Sequence, residues 1–426
     1  MCIQCRPIKP KNGKIYPMRI RTSTLAILLV VIGLTACYLP LETQADIPES
    51  APTLPAAPQN LILAVEVTPT PQAVTPEPTA EPVPLTATVW KQMPQVPILM
   101  YHRFNPNSGA YSATYMTSLA DFDNHLSELY TAGFSLIALQ DWLRGEIHLQ
   151  EGRRPLIITI DDLYYADQLS LDENGQPAPY SGVGHLWQFS QANPNFNFNA
   201  ALFYNLGDKG YANQFQNGSF TVQPGWREAR AEAIAWGIQH GAVPMNHFYE
   251  HPFLDRLSPD QIQWQLSEND AALREALVSI GKEHLASALP NILALPYVIW
   301  PSTDAGKQVL FDYISPEGAP VTGILEAGFG PRLFPAPFAP GFDRWHIPRA
   351  NASAASVAHI LSQIDEIPTA GSCDLGPIPG DQLTNAGTIM GHITGQVQSG
   401  ACTEGYYIVG QMAFHASENG ILQLSP

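Results

Sequence analysis

The spacing of apolar and polar residues after residue 96 predicts alternating strands and helices. Short apolar runs typical of buried strands alternate with segments in which apolar residues recur every three or four positions. The predicted strands comprise residues 96–101, 134–139, 155–160, 200–204, 292–295, 321–325 and 406–409. The predicted helices comprise residues 119–130, 226–239, 258–281 and 353–364. This alternation is typical of βα units and indicates an α/β barrel at residues 96–367, formed by parallel strands that helices cover.

The residues before the barrel have two different patterns. Residues 1–37 place basic residues before a short apolar run, which ends in Thr35, Ala36 and Cys37. This order is typical of a lipoprotein signal and predicts membrane attachment through lipidated Cys37, or through an uncleaved N-terminal anchor. Residues 38–95 are rich in Pro and predict a disordered tether. We therefore expect an exported protein, held at the outer face of the cell membrane or extracellular.

Residues 368–426 are richer in Gly, Thr and Gln and contain β-prone runs, so we expect a small β-rich C-terminal extension. Cys373 and Cys402 lie in this extension. In an oxidising compartment they could form a disulfide, and the alternative is two unpaired buried thiols.

Composition narrows the range of partners. The chain has 426 residues, of which 45% are apolar and 14% charged, so that most of it can bury substantial cores. Its net charge of -17 argues against binding to nucleic acid.

Two short motifs contain the candidate chemistry. Asp161 and Asp162 end a predicted strand, and in an α/β barrel the C-terminal strand ends bear the catalytic groups. His247 and His251 are separated by three residues, a spacing that can bring two imidazoles together. One Asp and two His are a common ligand set for a catalytic divalent metal.

Each motif also has an ordinary explanation on its own. Paired Asp residues often cap helices or lie in solvated turns, and His residues at this spacing can pack in a core. A glycoside hydrolase with paired carboxylates could use Asp161 and Asp162, but it would not need His247 and His251.

Together with their flanks, the motifs resemble the polysaccharide deacetylase family, carbohydrate esterase family 4. Residues 159–163, Thr-Ile-Asp-Asp-Leu, are similar to the family's Thr-Phe-Asp-Asp-Gly, and residues 246–252 are similar to its Asn-His-Thr-x-x-His-Pro. Residues 97–102, Pro-Ile-Leu-Met-Tyr-His, resemble the start of the exported branch that deacetylates poly-N-acetylglucosamine. The resemblance covers roughly residues 96–364.

The resemblance implies a distorted (β/α) barrel of about seven strands that hydrolyses N-acetyl groups on an extracellular or cell-wall polymer of N-acetylglucosamine. It implies one divalent metal, commonly zinc, with Asp162, His247 and His251 as ligands. Asp161 is the implied general base.

The resemblance also implies an oxyanion donor and a general acid. The backbone N–H of Tyr297 is the implied donor, because residues 294–297 occupy the place of the family's Arg-Pro-Pro-Tyr motif. His102 is the implied acid, although a His packed at the top of a first strand is an alternative interpretation.

Several departures from the family pattern affect the surroundings of the site. Leu163 replaces a Gly, Phe248 replaces a Thr or Ser, and Ala294 stands where the family has the Arg that orients the catalytic Asp. Arg349 resembles a late family Arg and could partly replace it. The alternatives are therefore an impaired barrel that binds glycan, or an O-acetyl esterase of the same family.

Overall fold

A closed barrel of seven parallel strands forms the centre of the structure. The computed structural model describes residues 81–105, 115–163, 165–207, 214–216, 219–328 and 332–425. The predicted signal peptide and residues 38–80 of the predicted tether lie outside the described residues. In the described part of the chain, no helix is both long and apolar enough to span a membrane.

The strands, in chain order, are β1 (Pro82–Trp90), β2 (Gln95–Tyr101), β3 (Arg103–Asn105), β4 (Met116–Ser118), β5 (Phe134–Leu136), β6 (Arg154–Ile160), β7 (Ala200–Tyr204), β8 (Gln214–Gln216), β9 (Ser219–Thr221), β10 (Ala242–Asn246), β11 (Ile292–Ala294), β12 (Gly323–Gly328), β13 (Leu333–Pro335), β14 (Ile347–Asn351), β15 (Gly371–Pro379), β16 (Gly405–Val409), β17 (Met412–Ser417) and β18 (Gly420–Leu424). The α-helices are α1 (Leu119–Thr131), α2 (Leu139–Leu143), α3 (Gly182–Ala192), α4 (Trp226–His240), α5 (Pro259–Ser279), α6 (Asp304–Asp312), α7 (Ala354–Ser362) and α8 (Ala386–Gln398).

The barrel strands follow the order β2-β14-β12-β11-β10-β7-β6, and β6 pairs back with β2. All of these pairings are parallel. The predicted distorted barrel of about seven strands is confirmed. Because the strands run in one direction, their C-terminal ends meet at one rim, which we call the mouth.

Helix boundaries follow local capping chemistry. Helix α5 begins after Ser258, whose hydroxyl accepts from the Gln261 N–H, while the Gln261 side chain accepts from the Ser258 N–H. Pro259 occupies the first helical position, where its missing N–H has no cost. The predicted helix at residues 258–281 is therefore found almost unchanged.

Apolar side chains fill the barrel below the mouth. Ile98, Ile157, Phe203, Leu325 and Ile347 are at most 2% exposed and belong to one core cluster. Successive residues of a strand point to opposite faces, so every second residue continues this interior column. The column turns polar only near the strand ends.

The C-terminal extension is a five-stranded antiparallel sheet in the order β15-β1-β16-β17-β18, in contact with helix α8. The predicted β-rich extension is confirmed. Cys373 and Cys402 form a disulfide, which decides between the two alternatives for these cysteines.

Strand β1 corrects the predicted boundary of the tether. The prediction of disorder up to residue 95 is wrong for residues 82–95, because β1 lies between β15 and β16 and β2 begins at Gln95. Pro82 and Pro84 lie in the first half of β1, which pairs only with β15, so that their lack of an N–H is tolerated. A strand that precedes the barrel in the sequence therefore forms part of the sheet of the C-terminal extension.

Strand β1 also joins the extension to the barrel. Trp90, Ile408 and Ala413 from the sheet share a buried cluster with Trp142 and Ile147, which follow β5, a strand that pairs with β6 outside the closed barrel. Through this apolar contact, the extension helps to stabilise the barrel.

We expect Trp90→Ala to lower the free energy of unfolding by about 3–5 kcal/mol, because it removes a fully buried indole from this cluster. Urea unfolding followed by circular dichroism measures the change. Val83→Ala, at a position 42% exposed on the same strand, is the control and should change stability by less than about 0.5 kcal/mol. Equal effects of the two substitutions would contradict the proposed packing.

Candidate active site

The two motifs predicted from the sequence meet at the mouth of the barrel. Asp161 and Asp162 directly follow β6, and His247 directly follows β10. One ligand atom each from Asp162, His247 and His251 lie within 4.8 Å of one another. The Asp162 Oδ1 lies 3.9 Å from Nε2 of His247 and 3.7 Å from Nε2 of His251.

Hydrogen bonds fix the orientation of two members of this triad. The Nδ1 of His247 donates to the Ala294 carbonyl oxygen at 2.8 Å, so Nε2 is the ring nitrogen that faces the triad. Asn205, at the end of β7, donates through Nδ2 to Oδ1 of Asp162 at 2.7 Å. Neighbouring barrel strands therefore position both side chains.

The backbone around the triad adopts an uncommon conformation. Asp162, Phe248, His251 and Tyr297 have φ values of 59°, 63°, 55° and 55°, in the left-handed region that non-glycine residues rarely occupy. Asn246 stabilises one of these turns, because its Oδ1 accepts from the Phe248 N–H at 2.9 Å. Such strained residues cluster at functional sites, where surrounding contacts hold them in place.

Asp161 forms a buried ion pair beside the triad, where its Oδ2 lies 3.8 Å from Nε2 of His247. Arg349 donates from two nitrogens to the two Asp161 oxygens, at 2.5 and 2.8 Å, and also donates to Thr159 at 3.0 Å. Burial is the largest single effect and raises the pKa of Asp161, but the charges of Arg349, His247 and His102 and the hydrogen bonds from Arg349 together outweigh it, and the pKa falls to about 2. Asp161 is therefore ionised at neutral pH.

The position of Arg349 bears directly on the missing family Arg. Ala294 has no side chain that could orient Asp161, whereas Arg349, on β14, reaches Asp161 across the mouth with its guanidinium fully buried. A planar guanidinium that binds both oxygens fixes the carboxylate in position as well as in charge.

The remaining predicted residues, His102 and Tyr297, line the same cavity of about 500 Å³ as the triad and Asp161. Burial lowers the pKa of His102, and the charges of Asp161 and Asp162 oppose this shift. The Tyr297 ring lies 4.4 Å from the His251 ring, centroid to centroid. The structure thus brings all six predicted site residues to one mouth.

The structure adds residues that the sequence did not indicate. Gln168 donates through Nε2 to the carbonyl oxygens of His102, at 2.8 Å, and Asp161, at 2.6 Å, which ties together the ends of β2 and β6. No motif marks Gln168, because it lies in an insertion after the Asp pair. Asn205 could have been found as a polar residue directly after a predicted strand. The cavity is also lined by Tyr115, Glu250 and Asn351.

The triad fits a divalent metal. Two imidazole nitrogens and one carboxylate oxygen are the donor set that zinc and similar ions accept, and spacings of 3.7 to 3.9 Å are close to those between ligands of one ion. His247 also has the hydrogen bond from its second ring nitrogen that metal-binding His residues usually have.

Comparison with known proteins gives structural neighbours only. No family model matches the chain, and no curated protein matches it. Among solved structures, it is similar to the Streptococcus pyogenes deacetylase PplD in complex with acetate, with 14% identity over 64% of this chain and 99% of that chain and a TM-score of 0.42. It is also similar to IcaB from Ammonifex degensii, with 20% identity over 65% and 99% of the two chains and a TM-score of 0.40.

A third similar structure is a de-N-acetylase from Aggregatibacter actinomycetemcomitans, with 14% identity over 62% of this chain and 99% of that chain and a TM-score of 0.38. The identities and TM-scores are low, so the side chains of the site, and not these neighbours, indicate its chemistry.

The low pKa of Asp161 predicts a specific pH dependence of stability. Since the pKa is lower in the folded than in the unfolded chain, this stabilisation is complete above about pH 4 and is lost as the pH falls towards 2. Between about pH 4.5 and 2.5, we expect the free energy of unfolding to fall by about 1.5 kcal/mol more in the wild type than in Asp161→Asn. Urea unfolding at several pH values measures this difference, and parallel curves would argue against the ion pair.

Proposed function

We propose that this protein is a metal-dependent deacetylase of an exported polysaccharide and removes N-acetyl groups from N-acetylglucosamine units. The observation that supports this most strongly is the convergence of Asp162, His247 and His251 beside an ionised, clamped Asp161. Hydrolysis of an amide requires a site for an activated water, a base, an oxyanion donor and an acid. The residues at the mouth offer a candidate for each.

Asp162, His247 and His251 would hold the metal, and zinc suits this donor set. When bound, the ion supplies Lewis acidity, which lowers the pKa of a water molecule and polarises a carbonyl group. Residues of the protein itself would remove the proton from water, stabilise the oxyanion and protonate the leaving amine.

Asp161 is the proposed general base. As the water oxygen attacks the acetamide carbon, the Asp161 carboxylate accepts the water proton. Arg349 keeps this carboxylate ionised and holds both of its oxygens, so that it stays beside the triad instead of becoming a ligand.

Tyr297 and His102 are proposed to complete the reaction. The backbone N–H of Tyr297 would donate to the oxyanion that forms on the carbonyl oxygen. When the C–N bond breaks, His102 would give its proton to the leaving amine, and acetate and a free amine result. Burial lowers the pKa of His102, which makes its protonated ring a stronger acid but a smaller fraction at neutral pH, and the charges of Asp161 and Asp162 oppose this shift.

The Arg349 clamp favours turnover over the alternative of an impaired barrel. Loss of the family Arg at position 294 would leave Asp161 unpaired if nothing replaced it, yet Arg349 pairs with both of its oxygens. An O-acetyl esterase would depend less on an acid, because an alkoxide leaves far more easily than an unprotonated nitrogen, which would have to leave as an amide anion. A panel of N- and O-acetylated substrates distinguishes these two activities.

The substitutions Asp161→Asn and Asp162→Asn should separate the base from the ligand. We expect Asp161→Asn to lower acetate release from N-acetylglucosamine oligomers about a hundredfold or more and to keep one metal per chain. Asp162→Asn should lose both activity and metal. Enzymatic acetate detection and metal analysis measure the two properties, and acetylxylan and peptidoglycan serve as comparison substrates.

A chelator should abolish wild-type acetate release, and added zinc should restore it. Release that is insensitive to chelator, or equal in Asp161→Asn and the wild type, would contradict these roles.

We expect His102→Ala to lower kcat about a hundredfold for N-acetyl substrates while metal content stays near one per chain. An activated O-acetyl ester, whose leaving group needs little protonation, should lose much less activity and provides the control. Equal losses on both substrates would assign His102 a structural role.

A further inference from the structure

Glu250 lies between the two His residues of the second motif and lines the cavity that contains the triad. Glu250 occupies one of the variable positions of the family motif that residues 246–252 resemble. None of the roles proposed above involves it. Glu250 is exposed, and it lines the cavity that a substrate would enter.

Gln265 fixes the orientation of Glu250. The Gln265 Nε2 donates to Oε2 of Glu250 at 2.7 Å, and its Oε1 accepts from the Glu250 N–H at 2.9 Å. Gln265 is only 3% exposed and lies on helix α5, so this double contact rests on a rigid element. An exposed carboxylate would otherwise sample many rotamers, and the clamp removes much of that freedom.

Among the residues that the structure describes, no side chain compensates the charge of Glu250. Within the part of the chain that the structure describes, its hydrogen bonds go to Gln265, and no Lys or Arg pairs with it. Arg349 is the Arg that lines the cavity, and Asp161 occupies it. A fixed carboxylate with one free oxygen is thus available to a cationic ligand at the edge of the cavity.

We propose that Glu250 binds the ammonium group of a glucosamine unit next to the unit being deacetylated. The inference rests on the proposed function, and it names the substrate class as a partly deacetylated chain. A polymer that has lost some acetyl groups has free amines, which are cationic when protonated, whereas an acetamide is neutral. The carboxylate attracts only the former, so Glu250 favours chains that already contain glucosamine.

The test compares the binding of a glucosamine tetramer with that of an N-acetylglucosamine tetramer, by isothermal titration calorimetry on the full chain. Chelator keeps the acetyl groups intact, and a mildly acidic buffer keeps the amines charged. We expect the wild type to bind the glucosamine tetramer more tightly. Glu250→Gln should weaken that binding about fivefold and change binding of the N-acetylated tetramer less than twofold.

Asp255→Asn is the matched control, because it removes the same charge from a nearby exposed residue that does not line the cavity. It should leave both affinities unchanged. The proposal is overturned if Glu250→Gln weakens both tetramers equally, if it weakens neither, if Asp255→Asn has the same effect, or if the wild type binds neither tetramer.

Acetate release by the metal-loaded wild type separates this inference from the proposed function. If the wild type releases no acetate, the proposed function fails, and the tetramer comparison still decides the role of Glu250. If acetate is released while Glu250→Gln keeps the wild-type preference, only the inference about Glu250 fails.

Discussion

The ion pair between Asp161 and Arg349 is the interaction on which the candidate chemistry depends. Two adjacent carboxylates at one strand end repel each other. Both can stay ionised only if each carboxylate has a cation of its own. Arg349 takes both oxygens of Asp161 inside the barrel, which leaves Asp162 to face His247 and His251. The pair is buried, so that removal of either partner leaves an uncompensated charge.

The closed barrel allows Asp161 and Asp162 to have separate partners. Asp161, His247 and Arg349 belong to three different strand ends, and closure between β2 and β6 brings all strand ends to one mouth. At the same time, the C-terminal sheet packs through Trp90 and Ile408 against residues that follow β5. Two apolar regions therefore support the mouth: the interior of the barrel, and the contact between the barrel and the C-terminal sheet.

Much of the fold and the triad could be predicted from the sequence, because strand and helix periodicity and short motifs are local features. The strand at residues 82–90 could not, since Pro-rich composition concealed a pairing with residues almost 300 positions later. Contacts between distant strands have no local pattern, which is also why the sequence does not indicate Gln168 and only suggests a role for Arg349. Asn205 could be predicted from the sequence, because it directly follows a predicted strand.

A crystal structure with anomalous diffraction data at the zinc edge, from the full chain supplied with zinc, tests the central claim most directly. The account predicts one anomalous peak at the mouth, about 2.0–2.2 Å from Asp162, His247 and His251, with Asp161 still bound to Arg349 and outside the coordination shell. A peak coordinated by Asp161, or no peak at these residues, would contradict the account.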